Sequence, residues 1–529
     1  MVPDWLLDWF DNPLFMKHVR SRLRRPAIVS GSIVTLAICL CIAWAGYEFN
    51  QFVSGGTYGA LLVLQAILLC IMGASQVGTA VSSARASGIL EFHRVSPLTP
   101  TELALGYFFG APVREYLLFL VTIPLAILCV AAGTPDLRGF LQVMIVLIAS
   151  SWVLQSVALV NGLITKRPTG GRGIIGLIIF LGWIGGGIFP AFGNVANLLD
   201  REPRLGFFGI SLPWLPVVLL YQAPIILFAF LAARRKLESE RLHALSKPQA
   251  MAAMGVAGLL AVGGTWGLTD NEFVTFLILY ALVGLGILLT IIVTPKQAEY
   301  YKGLLRAMRK GEERPSWWAD HSMNRPFLAV VGAIVLGAST IVWHRSFSDG
   351  SAASSVARKG MPLSIAVGTL VVVYFGLALQ YFLARFGRGG TTYLTLFLFL
   401  AWLIPLVLGT IIIVADFRRT SSAQVVYALG PIAGIGLASG AATSGFNSTA
   451  ENFPWVAAAA ITPTLLFTFV FNMLVSSAKK RFRRVVSDAS RWTPESGQTD
   501  RPAFLEHWES DDRPSAPTPG EVPTSGASS

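Results

Sequence analysis

Apolar runs of about 20 residues recur along nearly the whole chain of 529 residues. A helix needs about this length to cross a hydrocarbon core of about 30 Å, because each residue adds about 1.5 Å. The runs are continuous rather than alternating, which favours helices over a membrane β-barrel. Only 13% of the residues are charged, whereas soluble domains have roughly a quarter. The sequence therefore predicts an all-α polytopic protein integral to a lipid bilayer.

The apolar runs predict about 12 transmembrane helices, with 11 or 13 as alternatives, arranged as two six-helix halves. The predicted spans are 27–47, 57–82, 103–132, 138–164, 173–193 and 207–233, then 250–268, 272–294, 327–343, 362–384, 391–414 and 454–477. Residues 424–446 are also apolar, but a span there would place the basic run 479–484 outside. Gly430 and Pro431 favour a re-entrant or broken hairpin instead.

These patterns divide the chain into five segments. Residues 1–26 combine Trp and Phe with a basic end, as in a helix lying in the lipid headgroup region; a plain positively charged flank is the alternative. The others are the first membrane domain 27–233, a cytoplasmic linker 234–249, a second membrane domain 250–477 with a basic loop 295–326, and a disordered Pro- and Ser-rich tail 478–529.

Lys and Arg concentrate in alternate loops, which predicts that those loops and both termini are cytoplasmic. The formal net charge of +12 therefore reflects topology, and nothing indicates a nucleic-acid partner. No cleavable signal peptide is evident at the N-terminus. The localisation predicted is the cytoplasmic (inner) membrane of a bacterium.

Residues 83–102 form a half-polar loop between the second and third predicted spans. Its pattern predicts a short interfacial helix that follows Gly88 and ends before Pro97. Ser96 or Thr99 would cap the next helix, with Pro100 in its first turn and Glu102 near the positive end of its dipole.

This loop resembles that of the permease subunits of type 2 exporter ABC transporters, over about residues 4–235. The matching residues are Arg85, Gly88, Leu90, Glu91, Pro97, Leu98 and Glu102. The resemblance implies that the loop is a coupling helix contacting a separate ABC ATPase subunit, itself a dimer, which hydrolyses the ATP. Ala84 and Tyr107 depart from the family pattern, which usually has an acidic residue and often a Lys there.

The chain has no GxxxxGK[ST] phosphate-binding loop, and its six His residues are scattered, so the sequence predicts neither an enzyme nor a cofactor of its own. The function predicted is a permease component of an ATP-driven exporter. A non-transporting membrane scaffold and an ion-driven secondary transporter are the alternatives. Whether two copies pair as a homodimer stays open, and loop 295–326 is a hypothetical counterpart of loop 83–102.

Arg114 and Glu115 follow Pro112 within the third predicted span. Charges inside a membrane are costly unless they are paired or hydrated, which makes these two residues a candidate intramembrane pair in a pathway or gate. The alternative is that the lipid-embedded part begins near Tyr116, which would leave both charges at the interface.

Overall fold

The computed structural model describes residues 12–49, 56–132, 135–165, 204–266, 272–312, 315–346, 355–415, 420–438 and 453–491. Ten helices within these ranges are long and apolar enough to cross a membrane. The only strands that the same ranges contain form one two-stranded hairpin. The prediction of an all-α polytopic membrane protein is confirmed.

The first half contains eight described helices and the hairpin. They are α1 (Pro13–Arg22), α2 (Arg25–Glu48), α3 (Gly56–Ala86), α4 (Ile89–Val95), α5 (Pro100–Gly110), α6 (Val113–Ala131), α7 (Leu137–Ile164), β1 (Arg204–Phe207), β2 (Ile210–Pro213) and α8 (Trp214–Glu238). Helices α2, α3, α6, α7 and α8 are candidate spans.

The second half contains nine described helices. They are α9 (Lys247–Thr265), α10 (Glu272–Val293), α11 (Gln297–Arg309), α12 (Arg325–Ser346), α13 (Ser355–Phe386), α14 (Gly390–Ala415), α15 (Thr420–Leu429), α16 (Pro431–Leu437) and α17 (Phe453–Arg491). Candidate spans lie in α10, α12, α13, α14 and α17. The predicted span 250–268 falls on α9, which is rich in Gly and Ala and is not among the ten. The predicted span 173–193 lies outside the described residues.

The predicted single span 103–132 is wrong, because the structure divides it into α5 and α6. Helix α5 ends at Gly110, and Pro112 precedes the first residue of α6. Proline has no backbone N–H to donate and its ring clashes with the preceding turn, so a continuous helix is disfavoured there. The break separates the short helix α5 from the longer apolar helix α6.

Two other predicted boundaries also need correction. The predicted span 207–233 starts inside the hairpin, whose turn uses Phe208 and Gly209 at positive φ, and the helix begins only at Trp214. The predicted disordered tail begins at 478, but α17 continues to Arg491; residues 492–529 lie outside the described residues. Within 424–446, the described part is broken as predicted, since α15 and α16 meet at Gly430.

Helix α1 packs closely on α5 along a face made of two glycines. A Cβ atom on Gly106 would lie 3.0 Å from the Cβ of Leu14, and one on Gly110 would lie 3.0 Å from the Cβ of His18. The two glycines are four residues apart, which is the spacing that lets helices approach closely in membranes. Leu14 is buried in the core formed with α3, α5, α7 and α8.

The two halves meet along α8, α9 and the hairpin. Phe208 packs against Trp266 with ring centroids 5.5 Å apart, and its backbone N–H donates to the carbonyl of Gly263. Ala232 of α8 belongs to the buried core of the second half. The halves therefore share a continuous packed boundary.

A buried lysine fixes the start of α9. The Nζ atom of Lys247 donates to the backbone carbonyl of Ser322 at 2.5 Å and to its hydroxyl at 2.7 Å, and the side chain is 1% exposed. Burial lowers the pKa of this lysine from its usual 10.5 to about 7, although the charge of Asp320 opposes the shift. The amine is thus held at the junction of α9 and the segment before α12.

Replacing Gly106 with Leu should push α1 away from α5, because the added side chain would occupy the space of Leu14. We expect a loss of about 1–3 kcal/mol, measured by thermal unfolding in detergent. Gly59→Leu is the matched control, because a Cβ on Gly59 has no atom within 4 Å. Equal losses in both variants would contradict close packing at Gly106.

The stability of the wild-type chain relative to Lys247→Met should rise as pH increases from about 7 toward 10.5. In this window the unfolded lysine still holds its proton whereas the folded one releases it, so the unfolded state binds more protons and unfolding becomes less favourable with pH. Thermal unfolding of both proteins across the window measures the difference. Parallel profiles would show that the amine is not buried as described.

Candidate functional site

The loop 83–102 leaves the membrane domain through a glycine turn. Helix α3 ends at Ala86, and Gly88 adopts a φ of +74°, a left-handed conformation that favours glycine. Its N–H donates to the carbonyl of Arg85 at 3.2 Å. This turn directs α4 away from the axis of α3.

A capping box starts the helix that returns to the bundle. The Thr99 hydroxyl accepts from the N–H of Glu102 at 3.2 Å, and the Glu102 carboxylate accepts from the N–H of Thr99 at 2.7 Å. Of the two predicted candidates, Thr99 is therefore the cap, with Pro100 in the first turn as predicted. Ser96 instead donates to the carbonyl of His93 at 2.6 Å, at the end of α4.

Two arginines join the loop to the ends of neighbouring helices. Arg94 donates to the carbonyls of Lys236 at 2.9 Å and Leu237 at 3.1 Å, in the last turn of α8. Arg85 donates to the carbonyl of Leu163 at 2.6 Å, in the last turn of α7, and forms an ion pair with Glu240. The last carbonyls of a helix have no intrahelical partner, so cationic donors satisfy them well.

Helix α1 supports the loop from the other side. The Asn12 amide donates to the carbonyl of Glu102 at 2.7 Å, while its oxygen accepts from the N–H of Leu14 at 3.0 Å and caps α1. The structure thus joins the predicted interfacial helix directly to the loop. Residues 1–11 of that predicted helix lie outside the described residues.

Two histidines lie beside Tyr107 between α1 and α4. The ring of His18 is 5.3 Å from that of Tyr107, and the ring of His93 is 6.5 Å from it. Burial, with a smaller effect of Lys17, lowers the pKa of His18 to about 4 and lowers the pKa of His93. Both rings are therefore neutral at physiological pH, which suits a packed contact between the two helices.

The face of α4 turned away from the bundle is apolar. Phe92 is 70% exposed and Val95 is 82% exposed, while Leu90 on the opposite face is buried. Glu91 is exposed as well and pairs with Arg94. The outward surface is thus a small apolar patch, Phe92 and Val95, on a short helix.

The seven residues predicted to make the coupling contact separate into two groups. Glu91, Pro97, Gly88 and Glu102 are exposed; Arg85 and Leu98 are partly buried, and Leu90 is fully buried. The sequence pattern grouped Ile89, Leu90, Phe92 and Val95 as one apolar face, but Leu90 is buried whereas Phe92 and Val95 are exposed. The sequence did not predict that Arg94 supports the loop, because the carbonyls that it binds are more than 140 residues away.

Arg114 and Glu115 do form an ion pair, at the first turn of α6. The Arg114 Nη2 lies 2.9 Å from the Glu115 Oε1, and the Glu115 side chain is 1% exposed. The second carboxylate oxygen, Oε2, has no hydrogen-bond partner among the described residues. The structure thus pairs the two predicted residues, with Glu115 buried and Arg114 partly exposed.

A polar network continues from the loop into the second half. Arg235, near the end of α8, forms an ion pair with Asp320 and donates to the carbonyl of His243 at 3.2 Å. The His243 Nε2 lies 3.3 Å from the Glu299 carboxylate on α11. The linker between α8 and α9 therefore touches both the loop, through Glu240, and the second membrane half.

Comparisons of the chain with models of known protein families, with curated proteins and with solved structures gave no match. The residues and geometry of the loop are therefore the basis for assigning a function.

Replacing Arg94 with Met should release α4 from the end of α8 while keeping the apolar stem of the side chain. Hydrogen bonds from a charged donor are worth about 1.5–3 kcal/mol, so amide exchange in residues 89–95 should accelerate roughly 10- to 100-fold. Hydrogen–deuterium exchange measures this.

Glu91→Gln is the matched control for that experiment, because it removes only the exposed partner of Arg94. Exposed ion pairs contribute little, so exchange should change less than about fivefold. Unchanged protection in Arg94→Met would mean that the two carbonyl contacts do not hold the helix.

Proposed function

We propose that this chain is the permease subunit of an ATP-driven ABC exporter and that α4 docks a separate ABC ATPase. The observation that carries the proposal is the mounting of α4. A seven-residue helix projects the exposed Phe92 and Val95, while the buried Leu90 and the bonds of Arg94 to the last turn of α8 hold it against the bundle. The resemblance of residues 85–103 to the type 2 exporter pattern supports the same function.

A rigid element transmits a displacement, whereas a flexible linker absorbs it. Movement of α4 would pull on the ends of α7 and α8 through Arg85 and Arg94, and on α1 through the Asn12 contact with Glu102. Closure of the ATPase on ATP would thereby shift several spans together. The ATP chemistry belongs entirely to the partner.

One observation favours an ion-driven transporter as the second candidate. Glu115 is a buried carboxylate with one oxygen that lacks a partner among the described residues, and buried membrane carboxylates often bind protons or cations. Such a transporter would need no ATPase, so it predicts that none accompanies the chain.

The test is affinity purification of the tagged chain from its native membrane in mild detergent, followed by mass spectrometry. We expect an ABC ATPase, identified by its GxxxxGK[ST] sequence, to accompany the wild-type chain. A double variant, Phe92→Ser with Val95→Ser, should reduce its recovery at least about tenfold, because exposed apolar anchors carry much of the binding free energy.

The control double variant, Leu205→Ser with Ile210→Ser, removes two exposed apolar side chains from the hairpin and should leave recovery unchanged. Equal recovery with both double variants would reject docking through α4. Absence of any ABC ATPase from a monodisperse wild-type sample would reject the permease function and favour the ion-driven transporter or the scaffold.

A further inference from the structure

Helix α11 follows the candidate span α10 directly in the second half. The span α10 ends at Val293, and α11 begins three residues after Thr294. Tyr300, Leu304 and Ala307 form its buried face. That face packs against Ala384 and Phe482 of the protein, so it is not available to insert into lipid.

The end of α17 meets α11 at the same place. Phe482 contacts Tyr301 edge-on with ring centroids 4.8 Å apart and Tyr300 at 5.5 Å. Phe482 lies inside the basic run of α17, and α11 carries basic residues of its own. Together they form a surface that we call the basic platform: Lys302, Arg306, Arg309, Lys310, Lys479, Lys480, Arg481, Arg483 and Arg484.

Few acidic groups offset this charge among the described residues of the two segments. Glu299 already pairs with His243, and Glu312 is exposed beyond the end of α11. Nine cationic side chains within two adjoining segments produce a strong positive potential at short range. Such a surface favours an anionic ligand.

Exposed cations of both segments contribute to the platform. Arg306 and Arg309 on α11 and Lys480 and Arg481 on α17 are exposed, so an anion can reach them. Arg483 is not among these accessible donors, because its Nε and Nη2 atoms are buried.

An exposed indole pair lies beside the platform. Trp317 is 58% exposed and Trp318 is 45% exposed. Their segment packs on α11, because His321 occupies the space next to Gly303. Tryptophan side chains are enriched where protein meets the headgroup region.

We infer that the basic platform binds the headgroup of an anionic phospholipid, with the exposed Arg481 donating to the phosphate. The adjoining spans place the platform at the bilayer surface, where such headgroups are the anions at hand, and juxtamembrane clusters of Lys and Arg attract anionic lipids. An acidic protein partner would also fit the charge, but it would not explain the exposed indoles at the membrane boundary. The inference is independent of the ATPase.

The experiment uses the full-length chain, delipidated in detergent and exposed to equal amounts of phosphatidylglycerol and phosphatidylcholine. Native mass spectrometry then reports the lipids bound to each chain. We expect selective retention of phosphatidylglycerol, with an affinity that falls about fivefold when Arg481→Gln removes one exposed charge, since each cationic side chain near anionic lipid contributes about 1 kcal/mol.

Arg204→Gln is the matched control, because it removes one exposed charge from the hairpin and should leave lipid retention unchanged. Arg481→Lys keeps the charge and should bind phosphatidylglycerol better than Arg481→Gln, which separates a charge effect from misfolding. Equal retention of both lipids, or equal binding by wild type and Arg481→Gln, would overturn the inference. Displacement of the lipid by 10-fold excess inorganic phosphate would also overturn it, in favour of a small-anion site.

Discussion

The loop 83–102 depends on two arginine side chains that bind helix ends. Helix C-termini leave carbonyls without partners, and in or near a membrane water cannot fully replace them. Arg85 satisfies the end of α7, and Arg94 satisfies the end of α8. Because the same two side chains belong to the loop, satisfying these carbonyls also fixes the position of α4. Loss of either contact would leave an unpaired arginine in the loop and unpaired carbonyls at the end of the neighbouring helix.

The contacts around the linker extend this arrangement to the second half. Arg85 reaches Glu240, and Arg235 reaches Asp320 in the segment before α12. His243 then touches both Glu299 and the carbonyl of Ile292 at the end of α10. The linker is therefore bonded to elements of both halves rather than spanning a gap between them. A displacement of α8 would therefore be transmitted to α10 and α11.

Much of the fold was predictable, because the length and continuity of apolar runs specify membrane helices locally. The capping of α5 by Thr99 was also predictable, because Thr99 and its partner Glu102 lie only three residues apart in the sequence. The break at Pro112 was underestimated, because the apolar run continues across it. The support from Arg94 was not predictable: its carbonyl partners lie more than 140 residues away and backbone atoms carry no sequence signal.

The outward surface of α4 and the basic platform differ in their chemistry. The α4 surface is small and apolar, because Arg94 is turned inward to bind carbonyls. Its exposed side chains, Phe92 and Val95, therefore favour a partner with a complementary apolar pocket. The basic platform is the reverse: Tyr300 and Phe482 are packed between α11 and α17 beneath it, and six of its nine cationic residues are exposed. Apolar contacts bind a shaped protein surface, whereas clustered charge binds mobile anions at the bilayer. The distribution of buried and exposed side chains thus argues for two ligands, one for each membrane half, rather than one partner spanning both.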